Sequence, residues 1–344
     1  MKKSIIFLVI TVLFCSCGDF LLNEDYRGGD WFYLENNGAV MPIMVNGNKQ
    51  SNKFILFLHG GPGESAIMYR NLFNVFKLLE KDYAIVYWDQ RMSMSSQGNA
   101  KPDSLTMKQF VEDLGKVVAL IRYKYNNPAL FLMGHSWGGA LGTAFLINPI
   151  NQINISGWIE INGGHNLIGA FQLSKEWIIS KAEEQIVLGK DVDFWRKEIA
   201  WYISNPNLTN VTNYERHGNN VNKLNGTFFD PSKAPSQGEQ SSLVFNSPFN
   251  ISALLNPYYL RNNIIDWLWT LNFTTEMNKI KIPSLILWGK HDGSTPVAQA
   301  QEAYDIIGSD KKYLHIFEHS AHFPFVEEPA LFVKTVKEFI QNIK

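Results

Sequence analysis

Cysteine is nearly missing from this chain of 344 residues: Cys15 and Cys17 are the only two, and both sit at the extreme N-terminus. The body of the protein therefore has no disulfide, no cysteine-based metal site and no cysteine nucleophile. An excess of charge of either sign is missing as well. Lys and Arg number 31 against 32 Asp and Glu, a formal net charge of -1, so the chain lacks the basic footprint of a nucleic-acid binder. Internal repeats and long low-complexity tracts are absent. What is present is an ordinary globular balance, with 45% hydrophobic and 18% charged residues, and a length that suits one large domain or a domain carrying an insertion.

The N-terminus reads as an export signal rather than as part of the fold. Lys2 and Lys3 precede the apolar run Ile5 to Phe14, which is too short to cross a bilayer comfortably and ends in Cys15-Ser16-Cys17-Gly18. A signal that closes on cysteine resembles that of a bacterial lipoprotein. Cys17, between Ser16 and Gly18, suits lipidation better than Cys15, which follows the bulky Phe14. The expectation is a signal over 1–17, a tether over 18–30, and an exported protein anchored to a membrane by lipid on Cys17. A plain cleaved signal or an uncleaved anchor is the alternative.

Beyond the tether, strands and helices alternate. Trp31–Glu35 and Ala39–Val45 flank Asn36-Asn37-Gly38, a hairpin signal. Phe54–Leu58, Tyr83–Trp88 and Leu130–Met133 are continuous apolar runs, as in strands covered on both faces, and Trp158–Ile161 reads as a further strand. A helical stretch is expected near Tyr69–Leu79. Met107, Phe110, Val111, Leu114, Val117, Val118 and Ile121 trace one face of a helix that Thr106 or Ser104 caps and Pro128 stops. After Gly163-Gly164 the rhythm breaks, and residues 165–279 read as helices and loops. It resumes with strands at Leu285–Trp288 and Tyr313–Phe317 and a final helix over 328–343. The pattern predicts a mostly parallel sheet with helices on both faces over 31–164 and 280–344, interrupted by a helical cap.

Gly134-His135-Ser136-Trp137-Gly138 stands between a buried strand and a helix, the setting that a nucleophile elbow requires. The glycines allow the sharp turn that raises Ser136 above the sheet. A serine hydroxyl needs a base to take its proton, and the base needs a carboxylate behind it. Asp292, after the strand Leu285–Trp288, and His322, after the strand Tyr313–Phe317, are the candidates, and both loops fall on the same sheet edge as Ser136. The order Ser, Asp, His resembles that of the α/β-hydrolase fold. In that fold, backbone N–H groups of the loop after the first parallel strand and of the residue after the serine form the oxyanion hole. Here they would be those of Gly61, in His59-Gly60-Gly61-Pro62-Gly63, and of Trp137. His319 is the rival to His322, and His291 also neighbours the triad. His59 is expected to brace its own loop, His135 fills the variable position of the elbow, and His165, His217 and His315 read as packing or surface residues. Trp177, Trp195, Trp201, Trp267 and Trp269 read as core, although several aromatics in a cap suggest an aromatic-lined pocket.

More narrowly, His59-Gly60-Gly61-Pro62-Gly63, Trp88-Asp89-Gln90-Arg91 and Gly134-His135-Ser136-Trp137-Gly138-Gly139 together resemble the proline iminopeptidases. The likeness implies a serine aminopeptidase that removes an N-terminal residue, often proline, from small peptides; no cofactor or metal is expected, since the triad needs none. It also implies acidic cap residues that hold the free amine of the substrate, since a buried ammonium needs a carboxylate. Glu183, Glu184 and Glu198 are candidates, and Glu64 could face the pocket from the core. One departure stands out: the family's Asp-Gln-Arg is usually followed by Gly-x-Gly, and Met92-Ser93-Met94 stands there instead. A carboxylesterase or other acyl hydrolase with the same triad is the alternative. A non-catalytic binding protein on the same fold is a third reading, which an intact triad opposes. Epoxide hydrolases and dehalogenases need a carboxylate where Ser136 stands.

Overall fold

In the computed structural model, residues 29–208, 210–236, 238–239 and 250–343 are described. The expected signal, the lipidation candidate Cys17 and nearly all of the tether lie outside them. None of the helices among the described residues is long and apolar enough to cross a membrane.

Asn37 and Gly38 take positive φ and turn strand β1 (Asp30–Asn36) back on β2 (Ala39–Gly47), as the Asn-Asn-Gly signal predicts. Strands β3 (Lys53–Leu58), β4 (Ala84–Trp88), β6 (Ala129–His135), β7 (Gly157–Ile161), β8 (Ser284–Gly289) and β9 (Lys312–Phe317) follow the six strands expected after the hairpin. The short β5 (Gln97–Gly98), which pairs with β2, carries no apolar signal. The sheet runs β1-β2-β4-β3-β6-β7-β8-β9. From β4 to β9 every pairing is parallel, while β1, β2 and β5 join antiparallel at one side.

Alternate residues of each buried strand feed opposite layers. Leu56, Leu58, Val86, Trp88, Leu130, Leu132 and Trp158 pack on one face against helices α3 (Met107–Lys124) and α4 (Trp137–Leu146). Ile55, Phe57, Ile85, Tyr87, Phe131, Met133 and Ile159 pack on the other against α1 (Ala66–Leu72), α2 (Asn74–Leu79) and the C-terminal helix α12 (Pro329–Asn342). Extended backbone at Phe73 divides α1 from α2, so the single helix expected near Tyr69–Leu79 is two. Thr106, rather than Ser104, caps α3, its side chain accepting from the Gln109 N–H. The remaining core helices are the one-turn α5 (Pro149–Gln152) after α4, α10 (Ala298–Ile306) between β8 and β9, and the short α11 (Pro324–Glu327).

Between β7 and β8 come α6 (Leu167–Val187), α7 (Val192–Ser204), α8 (Val211–Lys223) and α9 (Asn250–Leu268), with no sheet strand among the described residues. The cap has a small centre of its own in Ile178, Tyr202 and Val221. Its last helix does not stand apart, because Leu260, Ile264 and Leu268 of α9 belong to the main core.

Beside the hairpin, Arg91 and Asp113 form a fully buried ion pair, with Arg91 Nε 2.5 Å from Asp113 Oδ2. Arg91 also donates to Ser104 Oγ and to the Asn36 carbonyl, so both charges are well satisfied. Removing one partner of such a pair strands the other charge in the interior. Arg91→Met is expected to lower stability by about 3–5 kcal/mol, read as a lower urea midpoint at an unchanged m-value.

Candidate active site

Strand β6 delivers Ser136 into a conformation that few residues adopt. Its φ of 55° and ψ of -116° lie outside the ordinary regions, a strain of about 1–3 kcal/mol that the surrounding packing must hold. The packing is tight enough to require the flanking glycines. A Cβ on Gly134 would fall 2.3 Å from the Gly138 carbonyl oxygen, and one on Gly138 only 2.0 Å from that of Leu58. Ser136 N–H donates to the Ile161 carbonyl, and its own carbonyl accepts from Gly139 and Gly164. Ser136 is thus fixed at the head of α4, where the helix N-terminus favours negative charge.

Asp292 and His322 meet from the ends of β8 and β9. His322 Nδ1 lies 2.7 Å from Asp292 Oδ2, and Asp292 is buried. The carboxylate is fully engaged: Oδ2 also accepts from Asn162 Nδ2 and Thr295 Oγ1, and Oδ1 accepts from the N–H groups of Ser294 and Thr295. A carboxylate held this way orients the imidazole and leaves Nε2 free to act as a base. Ser136, Trp137, Gly61 and His322 all line one cavity of about 1340 Å³ between core and cap. His319, the rival candidate, is exposed and lies outside the cavity lining. His291 stacks on Phe229 and also lies outside it.

The Asp-Gln-Arg segment is scaffolding for this edge. Asp89 accepts from Ser65 Oγ and the Ile67 N–H at the start of α1, and burial raises its carboxyl to about 6. Gln90 accepts from the Trp137 indole at 2.8 Å. Met92 stands at φ 54°, so the loop takes a left-handed turn where the proline iminopeptidase pattern has glycine. His59 braces its own loop as expected, its Nδ1–H donating to the Gly60 carbonyl, and ties it to the next loop by accepting from Gln90 N–H and Ser93 Oγ at Nε2; burial lowers its pKa to about 4.

The cap acids are where expectation and structure part. Glu183 and Glu184 are exposed on α6, Glu184 paired with Lys181, and neither lines the cavity. Glu198 is buried, but it is spent inside the cap on Arg216 and Asn220. None of the three is brought to the substrate space: two point outward from a long helix, and the third already has its counter-ion. Glu64, from the core, does line the cavity. A Cβ on Gly60 would lie 3.0 Å from Glu64 Oε2, 3.1 Å from His135 Nδ1 and 3.4 Å from Ser136 Cβ, so these groups crowd one spot. Burial raises the Glu64 pKa, against the Tyr69 hydroxyl that donates to it and the positive charge of Arg261.

Several contributors have no sequence motif. His135 Nε2 donates to the His322 carbonyl at 2.9 Å; burial pushes its pKa well down, so Nδ1 keeps a lone pair, and that atom has no partner among the described residues. The cap reaches down to both loops of the Asp–His pair. His322 N–H donates to the Thr227 carbonyl, Gly293 N–H donates to that of Gly226, and Ser174 Oγ donates to that of Gly293. Ser174 is in turn bonded to His217, whose other ring nitrogen meets Tyr202. Of the five cap-region tryptophans only Trp269 lines the cavity, whose aromatic wall also includes Tyr69, Phe73, Trp137, Tyr214 and Phe228, the last stacked on Phe323 at 4.9 Å. Among the described residues no cluster of His, Cys, Asp or Glu could hold a metal ion.

These features meet those of known proteins. A model of the alpha/beta hydrolase fold matches residues 53–329, and the chain belongs to that family. Over 310 residues it is 28% identical to a protein of Bacillus subtilis (strain 168) named probable aminopeptidase YbaC, covering 87% of this chain and 92% of that one. A proline iminopeptidase of Heyndrickxia coagulans is 24% identical over 318 residues, 90% of this chain and 94% of the relative. The solved structure of an esterase from Exiguobacterium antarcticum superimposes with a TM-score of 0.59 at 17% identity, over 91% of this chain and 100% of the esterase. The resemblance to proline iminopeptidases thus runs along most of the chain, and the fold is one that esterases share.

Behind the site, His165 is buried against Glu160, 2.8 Å away, and Glu302. Burial alone would lower its pKa, but the charge and hydrogen bonds of the two carboxylates raise it to about 9. Its contribution to stability is therefore complete below the unfolded value of 6.5 and is lost as the pH rises through about 9. Urea unfolding of the wild type is expected to weaken by on the order of 3 kcal/mol across that window. His165→Gln should flatten this slope.

Proposed function

We propose that the protein is a serine aminopeptidase acting on small peptides. Ser136 Oγ attacks the scissile carbonyl while His322 Nε2 takes its proton and Asp292 steadies the resulting imidazolium. The N–H groups of Gly61 and Trp137 receive the oxyanion. The C–N bond breaks as His322 returns the proton to the leaving amine. Water, deprotonated by the same imidazole, then releases the acyl group from Ser136 and regenerates the hydroxyl.

The observation that carries the reading is the strained serine and the Asp292-held imidazole lining one cavity. What favours an aminopeptidase is Glu64. Its carboxylate and the His135 Nδ1 lone pair both stand next to Ser136, two acceptors in a place where a substrate ammonium would bring donors. The amine is thus held from the core, in place of the cap acids expected from the family. The names of the relatives support the same choice. The esterase reading draws on the apolar lining of the cavity, where Met68, Leu72, Phe73, Phe228 and Phe323 would suit an acyl chain. For cellular placement, the N-terminal signal and Cys17 support an exported, lipid-anchored enzyme.

Labelling by a fluorophosphonate probe at Ser136, and a fall in turnover of roughly 10⁶ in Ser136→Ala, are expected on either enzymatic reading. A panel of prolyl and alanyl naphthylamides against a p-nitrophenyl ester separates the two. Amide cleavage that disappears when the amine is acylated supports the aminopeptidase, and turnover of the ester alone refutes it. Glu64→Gln should raise KM for the free-amine naphthylamides by about 10- to 100-fold and affect the ester far less. An equal loss on both would remove Glu64 from amine binding.

A further inference from the structure

Arg261 has no role in the chemistry above, yet it lines the cavity. It is half-buried on α9 and is not among the ion pairs of the described residues. Residues 240–249, the undescribed stretch just before that helix, contain no Asp or Glu to supply a carboxylate. Among the described residues its one hydrogen bond runs from Nε to the Pro257 carbonyl a turn earlier in the same helix, which leaves the four N–H groups of its two terminal nitrogens without a partner there. An unpaired guanidinium in a partly desolvated cavity is a ready partner for a carboxylate, which it grips with two parallel hydrogen bonds.

Its position relative to Glu64 is informative. Helix α9 packs on the loop that carries Glu64: a Cβ on Gly63 would fall 3.2 Å from Pro257 Cα and 3.5 Å from Leu260 Cδ2. The Arg261 charge is felt at both Glu64 and Tyr214, another residue of the cavity wall. Among the described residues no salt bridge joins Arg261 to Glu64, so the two opposite charges line the same cavity without meeting in contact. A cavity with an acceptor site near the serine and a cationic site on the neighbouring cap helix is complementary to a short zwitterion.

We propose that Arg261 binds the free C-terminal carboxylate of the substrate, so that the preferred substrates are very short peptides, dipeptides foremost, rather than long chains or blocked amides. This rests on the aminopeptidase reading of the same cavity and adds the far end of the substrate to it. In a longer peptide the carboxylate lies beyond Arg261, and an internal amide there leaves the guanidinium desolvated and unpaired, which costs binding.

The test compares Pro-Ala with Pro-Ala amide, by proline release, in the wild type and in Arg261→Gln. The wild type is expected to favour the free dipeptide by about 10- to 100-fold in kcat/KM, mainly through KM, and the variant should bring that ratio close to one. A wild-type ratio near one overturns the proposal without any variant. So does a ratio that survives in Arg261→Gln, or an equal loss on both substrates, which would mean that Arg261 only balances Glu64. If neither peptide is cut while Ser136-dependent ester hydrolysis continues, the aminopeptidase reading has failed. Arg261 is then judged by competition against the ester. Stronger inhibition by Pro-Ala than by its amide, lost in Arg261→Gln, upholds carboxylate binding, and equal or absent inhibition overturns it.

Discussion

The hydrogen bond between His322 and Asp292 ties together two loops that share no local contact in sequence, and the geometry of the site follows from it. Each residue sits just beyond a parallel strand, β8 for the acid and β9 for the imidazole, and adjacent strands in register bring those loops to one edge. A buried carboxylate is costly unless its lone pairs are filled. Asn162, at the end of β7, and the backbone of Ser294 and Thr295 fill them. The bond is thus the visible end of a network reaching across neighbouring strand ends, and the imidazole it holds lines the same cavity as Ser136.

The cap takes part in holding this arrangement. Residues 226 and 227 accept hydrogen bonds from Gly293 and His322, and Ser174 on α6 bonds to the Gly293 carbonyl. Gly293 must be glycine for this approach, since a Cβ there would meet the Trp177 ring at 2.6 Å. A cap bonded to both catalytic-type loops, with its last helix rooted in the main core, acts as a wall of the site rather than a detached cover. The same wall supplies Arg261 to the cavity that Glu64 lines from the core.

Much of the core was legible because buried parallel strands must be continuously apolar and the turns between them leave distinct residues. The six strands expected after the hairpin all formed, and Asn37-Gly38 became the hairpin turn. Where legibility failed, the deciding contact was remote. The break at Phe73 lies inside a sequence of good helical periodicity, and β5 is two polar or small residues that pair only because β2 is beside them. The cap acids looked alike in sequence. Only the orientation of α6 toward solvent and the Arg216 partner of Glu198 took them out of the cavity. His135 read as the variable residue of a motif, although its imidazole supports the His322 backbone.

By itself the sequence determined the alternation of strands and helices, the glycine-flanked serine on its turn and the order of serine, acid and histidine. These depend on residue type and short spacing, and local sterics and the burial of apolar runs act over such distances. Tertiary structure alone decided which carboxylate faces the cavity, which backbone groups steady the histidine, and that Arg261 stands there without a counter-ion among the described residues. Those outcomes depend on how separate helices pack over the strand ends, and a side chain's exposure and partners are set by neighbours dozens or hundreds of residues away.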